Sequence, residues 1–271
     1  MFLNLFIGRT DHIHLLKYKN FCIIKVMTED ITLEINNHKI PCFIANPKDN
    51  NGKGIILIHE IWGLNENIKD IAQRFSNIGY TVLAPDLLSE LPPENRITPD
   101  ILLQMRDPKN REESQEKMKQ ILEPINSEQF KEIALLKEKE CFQYLQNTKD
   151  IENIAVIGFC FGGSYCFALS MSEKNLKASI PFYGRFPSQN FDDIKNINCP
   201  TLAFYGEQDT ELVSSIPPIK EKMSQYNKSF EYIIYPDCGH AFFNDQNHGL
   251  YNEKAAKDAW NKTLKFLEEN L

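Results

Sequence analysis

The sequence predicts an α/β fold, with a mainly parallel central sheet flanked by helices and an antiparallel edge at the N-terminus. Three observations carry this. Short apolar runs such as Ile55-Ile56-Leu57-Ile58 and Ile154-Ala155-Val156-Ile157 lack polar alternation, as strands covered on both faces do. Stretches with apolar residues at helical spacing stand between the strand candidates. The first two strand candidates have no helix between them, which makes them an antiparallel pair.

Taken in order, Ile31–Ile35 and Ile40–Ala45 form that edge. Gly54–His59 is the next strand. Helical Glu66–Ile78 follows, with Ile68, Ile71, Ala72 and Phe75 on one stripe. Strand Tyr80–Ala84 comes next. The stretch from Leu88 to Gln129 breaks the rhythm: LSELPPENRITPD is proline-rich and polar, and RDPKNREESQEKMKQILEP reads as a charged, solvated helix or loop. It is expected to be an insertion over the sheet, placed to act as a partial lid. Then come helix Lys131–Leu145, strand Ile154–Gly158, helix Ser164–Met171, and strands Ala178–Tyr183, Thr201–Tyr205 and Phe230–Tyr235. The closing helix, Tyr251–Leu267, turns Ala255, Ala256, Ala259, Trp260, Leu264 and Leu267 toward one side. No repeat or glycine-serine linker interrupts residues 27–271, so one domain is expected there. Residues 1–26 read as a dispensable extension, with Met27 as an alternative start.

Composition narrows the function. The 271 residues are 42% hydrophobic and carry a net charge of −7, which gives no electrostatic reason to seek nucleic acid or an anionic membrane. The seven cysteines are irregularly spaced and include no C-x-x-C pair, so free thiols in a reducing cytoplasm fit better than a disulfide scaffold or a zinc ribbon. The N-terminus has no basic start, and no segment approaches the roughly 20 apolar residues of a membrane span. His12-Ile13-His14 stands without companion ligands and reads as surface, so no metal site is expected. Nothing sets the oligomeric state, and a monomer is the default expectation.

Chemistry concentrates at Gly158-Phe159-Cys160-Phe161-Gly162-Gly163. The spacing is that of the G-x-S-x-G nucleophile elbow, with sulfur in place of the serine oxygen. A strand turns into a helix within a few residues there, and side chains at Gly158 and Gly162 would collide with neighbouring elements. Peptide N–H groups at the helix start favour negative charge on the thiol. The bland alternative is that Cys160 is a small core filler, as Cys166 is expected to be. Its companions decide the matter. A thiol nucleophile needs a histidine, and the histidine needs an acid, each after a successive strand. Strand Thr201–Tyr205 is followed by Gly206-Glu207-Gln208-Asp209, and Phe230–Tyr235 by Pro236-Asp237-Cys238-Gly239-His240. Asp209 and His240 are therefore expected beside Cys160 at the carboxyl edge of the sheet. Asp209 could instead cap a helix, and Glu207 competes with it as the acid. His248 competes with His240 but lies in a polar loop, while His59 ends a strand and reads as structural. A further acid, Glu60, stands in HEIWGLN at a strand end, where it could take the thiol's proton.

HEIWGLN, GYTVLAPDL, GFCFGG, FYGEQD, CGHAF and AAKDAWNKTLKFL, in this order over residues 27–271, resemble the dienelactone hydrolase family. The resemblance implies an α/β-hydrolase fold that works without a cofactor on a small-molecule ester or lactone. It implies that Cys160 attacks the carbonyl, that His240 and Asp209 complete the triad, and that Glu60 accepts the thiol proton when substrate enters. It also implies an oxyanion hole made by the backbone N–H groups of Ile61 and Phe161. One departure stands out. Family members acting on anionic dienelactone carry an arginine four residues after the histidine, and here that position is Asn244. Arg106 or Arg111 in the insertion could replace it. Phe242, Phe243 and Trp62 fit either an apolar pocket or the core. The expected activity is hydrolysis through a thioester. Acyl transfer to another acceptor, or ligand binding without catalysis, are the alternatives.

Overall fold

The computed structural model describes residues 27–92, 95–97, 111–188 and 190–271, apart from the side chains of 111–115. The proposed extension 1–26, Arg106 and the Arg111 side chain lie outside the described residues. Eight strands form one sheet: β1 (Met27–Ile35), β2 (His38–Asn46), β3 (Lys53–Ile58), β4 (Thr81–Pro85), β5 (Asn153–Phe159), β6 (Ala178–Phe182), β7 (Thr201–Gly206) and β8 (Phe230–Tyr235). Their spatial order is β1-β2-β4-β3-β5-β6-β7-β8. β2 is antiparallel to both β1 and β4, and every other pairing is parallel. The edge hairpin closes through Asn36 and Asn37, at φ 47 and 70. A two-residue turn with positive φ at both positions matches strand twist, and asparagine tolerates that region.

The helices among the described residues are α1 (Glu66–Ser76), α2 (Arg111–Asn126), α3 (Glu128–Asn147), α4 (Phe161–Ser172), α5 (Thr210–Gln225) and α6 (Glu253–Asn270), with a 3-10 turn at Phe191–Asn196. Alternate residues of β3 and β5 point to opposite faces. Ile55, Leu57, Ala155 and Ile157 pack on one side with Ile68, Ile71 and Phe75 of α1 and Ala256, Ala259 and Phe266 of α6. Ile56, Ile58, Ile154 and Val156 pack on the other with Phe142 and Leu145 of α3 and Cys166 and Leu169 of α4. Both faces are covered, which explains the absence of polar alternation. Side chains of Asn65, Ser127 and Asn252 cap α1, α3 and α6 by accepting backbone N–H bonds.

Two helices settle alternatives that the sequence leaves open. α5 answers the open reading of Asp209 as a helix cap, and it carries Pro217 and Pro218 in its middle. Proline removes a backbone donor and normally breaks a helix. Here Leu212, Ile216, Ile219 and Met223 lie at helical spacing on a buried stripe, and that burial outweighs the lost bonds. Within the proposed insertion, α2 is helical, and its Met118 and Ile121 pack with Ile97 on Ile61 and Trp62, just after β3. Among the described residues, no helix is long and apolar enough to cross a membrane.

Chain order and sheet order diverge at β3, which has β4 on one side and β5 on the other. In open parallel sheets, ligand crevices form at the carboxyl ends of strands around such a switch point. The loops that leave β3, β5, β7 and β8 there carry Glu60, Cys160, Asp209 and His240.

Candidate active site

Cys160 sits between β5 and α4 at φ 54, ψ −111. Few side-chain-bearing residues adopt positive φ, and such strain clusters at sites where a side chain must be presented. Packing enforces the turn. A Cβ at Gly158 would stand 2.3 Å from the Gly162 carbonyl oxygen, and one at Gly162 would stand 2.5 Å from the Ile58 carbonyl oxygen. The Cys160 N–H donates to the Phe182 carbonyl at 3.0 Å, which ties the elbow to β6. Cys160 is half-buried, whereas Cys42, Cys141, Cys166, Cys199 and Cys238 are free thiols buried in the protein.

Asp209 holds the N-cap position of α5, yet its side chain makes no cap bond. Its Oδ2 lies 2.5 Å from His240 Nδ1 instead. The His240 ring also hydrogen-bonds the Cys160 side chain. Burial works to lower the imidazole pKa, but the bonds to Asp209 and Cys160 outweigh it and push it up to about 10. The alternatives fall elsewhere. Glu207 accepts the Asp237 N–H at 3.3 Å, and His248 is exposed.

Glu60 is only 3% exposed. Its Oε2 accepts the Asn244 amide N–H at 2.6 Å, and its Oε1 accepts the Tyr183 hydroxyl at 3.3 Å. Burial pushes its carboxyl up, against opposing pulls from Asn244, the His240 charge, Tyr183 and Trp62. Asn244, the position of the departure, is thus occupied with holding Glu60. Tyr183 was missed by sequence reasoning. Its ring lies 5.0 Å from the His240 ring while its hydroxyl reaches Glu60, and its φ is 39. Its place at the end of β6, on the same rim as Cys160, was the one available signal. Phe242 and Phe243 belong to the core. Trp62 is half-buried and bonds Glu60.

The backbone N–H groups of Ile61 and Phe161 donate to no protein group among the described residues. Nor do the described residues hold a group of three or more His, Cys, Asp or Glu side chains arranged for a metal ion.

Comparisons with known proteins agree with the sequence resemblance. The model of the "Dienelactone hydrolase family" matches residues 40–271. A protein of Saccharolobus solfataricus named "Putative carboxymethylenebutenolidase" is 34% identical over 89% of this chain and 98% of its own length. "Protein usf" of Aquifex pyrophilus is 30% identical over 90% of this chain and 100% of its own. A crystal structure described as a "Putative Dienelactone Hydrolase" from Klebsiella pneumoniae shares the fold, with a TM-score of 0.73 at 22% identity, covering 89% of this chain and 97% of that one. With its eight-stranded sheet, antiparallel edge and strained elbow in place, the chain is a hydrolase of α/β-hydrolase fold and belongs to the dienelactone hydrolase family.

Proposed function

We propose that the protein hydrolyses small carboxylic esters or lactones through a Cys160 thioester, within one catalytic domain over residues 27–271. One observation carries this reading: His240 is shared between Asp209 and Cys160 at the carboxyl rim of the sheet. Asp209 fixes the ring and stabilises its protonated form, and that cation stands beside the sulfur as the thiolate forms. The thiolate attacks the substrate carbonyl. The unspent N–H groups of Ile61 and Phe161 take the developing oxyanion. Each such donor supports about 3–4 kcal/mol of transition-state stabilisation. His240 protonates the departing alkoxide. It then takes a proton from water, which cleaves the thioester and frees Cys160.

Glu60 receives the thiol proton when substrate enters. A buried carboxyl with a raised pKa holds such a proton well, and the donors around it keep its anion accessible. Asn244 is uncharged and its amide is committed to Glu60, so that position supplies no cation for a substrate carboxylate, which favours uncharged esters and lactones. Free thiols throughout the described chain suit a thiol enzyme of the cytoplasm.

The test is turnover of p-nitrophenyl acetate by Cys160→Ala. Activity should vanish while the thermal midpoint stays within a few degrees of the parent. Turnover at the parental rate would overturn the assignment.

A further inference from the structure

We propose that His59 is a positioning residue for the oxyanion hole: its ring clamps the Glu60 carbonyl and so aims the Ile61 N–H at the reaction centre. The inference rests on the thioester reading above and adds to it the device that holds the hole in shape.

His59 follows β3 directly and is completely buried. Its two ring nitrogens have partners with opposite demands. The Leu87 N–H donates to Nε2 at 3.0 Å. An N–H donates only to an unprotonated nitrogen, so the ring proton sits on Nδ1. Nδ1 lies 2.5 Å from the Glu60 carbonyl oxygen and donates to it. Burial lowers the imidazole pKa against the nearby Asp86 carboxylate and the Glu60 carbonyl, which agrees with a neutral ring of this tautomer.

The clamp bears on the hole through the planarity of the peptide. The Glu60–Ile61 bond is trans, so its C=O and N–H point in opposite directions. The Glu60 carbonyl also accepts the Gly63 N–H at 3.1 Å, which occupies it from a second side. A carbonyl held from two sides cannot rotate, and the Ile61 N–H behind it is equally fixed. The same residue reaches the other donor. The His59 ring lies flat against Phe161, with centroids 5.6 Å apart and planes 7° from parallel. The His59 carbonyl accepts the Gly162 N–H at 3.1 Å, one residue past the Phe161 peptide. One residue thus reaches both N–H groups, by its ring on the Ile61 side and by its ring and carbonyl on the Phe161 side, and its ring is itself held by Leu87, beyond β4. Preorganisation is what gives such donors their effect, and about 1 Å of slack loses about 10²-fold in rate.

Two substitutions separate the bonds. In His59→Asn, the amide nitrogen stands near the place of Nδ1 and keeps the bond to the Glu60 carbonyl. In His59→Gln, the amide reaches the place of Nε2, keeps the Leu87 bond and loses the clamp. On p-nitrophenyl acetate, His59→Gln should lower kcat about 10²-fold with KM nearly unchanged, while His59→Asn stays within about fivefold of the parent. Iodoacetamide should alkylate Cys160 equally fast in all three, because that displacement builds no oxyanion. Parental kcat in His59→Gln overturns the proposal, as does an equal loss of kcat and alkylation in both variants. A readout on the unsubstituted protein stands apart from any folding defect. Imidazole ¹⁵N shifts should report His59 with its proton on Nδ1, and a proton on Nε2 overturns the clamp. If Cys160→Ala is dead and His59→Gln is fully active, this inference alone falls. If Cys160→Ala remains active, the thioester reading falls first.

Discussion

Two buried carboxyls, one at the rim and one inside α3, differ in what their surroundings offer a charge. Glu60 is 3% exposed and Glu138 is not exposed at all. Burial raises the pKa of both. Around Glu60, the Asn244 amide, the Tyr183 hydroxyl and the Trp62 side chain bond the carboxylate, and the His240 charge adds to them. Around Glu138, neither oxygen has a hydrogen-bond partner among the described residues. The nearby Tyr165, Cys166 and Cys141 are themselves buried acids with raised pKa values, and none donates a hydrogen bond to it. Burial alone makes a carboxyl neutral and inert. Burial balanced by donors leaves both protonation states within reach, and a proton acceptor needs both.

The contrast breaks most visibly if Glu60 loses its charge. Glu60→Gln should lower kcat/KM on a neutral aryl ester by about 10²- to 10⁴-fold and alter the pH–rate profile. A parental profile would make Glu60 as structural as Glu138. Next in size is Glu138→Leu, which should raise stability at neutral pH by about 1–3 kcal/mol in urea unfolding and leave turnover alone, since it removes two unpaired polar atoms. The sign with pH follows from the raised pKa. Glu138 is least unfavourable below the ordinary value of 4.5, and folding weakens as pH climbs above it. The advantage of the leucine variant should therefore widen from pH 4 to pH 8. A constant advantage would mean that ionisation is not what burdens Glu138. The smallest effect belongs to Tyr183→Phe, which removes one donor worth about 1 kcal/mol. The Tyr183 bond holds the Glu60 pKa down, so its loss should move the acid limb of kcat/KM upward by less than one pH unit. An unmoved limb would take Tyr183 out of the contrast.

Much of this architecture is legible in the sequence, and the part that is not has identifiable physical causes. All eight strands are visible in the sequence, the central ones as apolar runs because a doubly covered strand leaves a local signature. Cys160, Asp209 and His240 are visible as well, because each follows its strand within a few residues. α5 is only half legible, since Asp209 could be a cap or a catalytic acid, and the local preference of Pro217 and Pro218 loses to the burial of Ile216 and Ile219. The Glu60 cradle is hidden for another reason. Its donors Tyr183 and Asn244 lie 123 and 184 residues away along the chain. Asn244 could be seen as a missing cation but not as a partner of Glu60. Nor does a histidine at a strand end reveal which of its nitrogens carries the proton. That depends on Leu87, which lies just past β4, the parallel neighbour of β3.

The left-handed backbone angle at residue 160 implies an opposition between durability and activity. Glycine occupies that region without steric conflict, whereas any Cβ is strained there by about 1–3 kcal/mol. Cys160→Gly should accordingly outlast Cys160→Ala on heating, by about 1 kcal/mol once the extra freedom of unfolded glycine is deducted. The hardiest form of this chain would then be one that has given up its half-buried thiol.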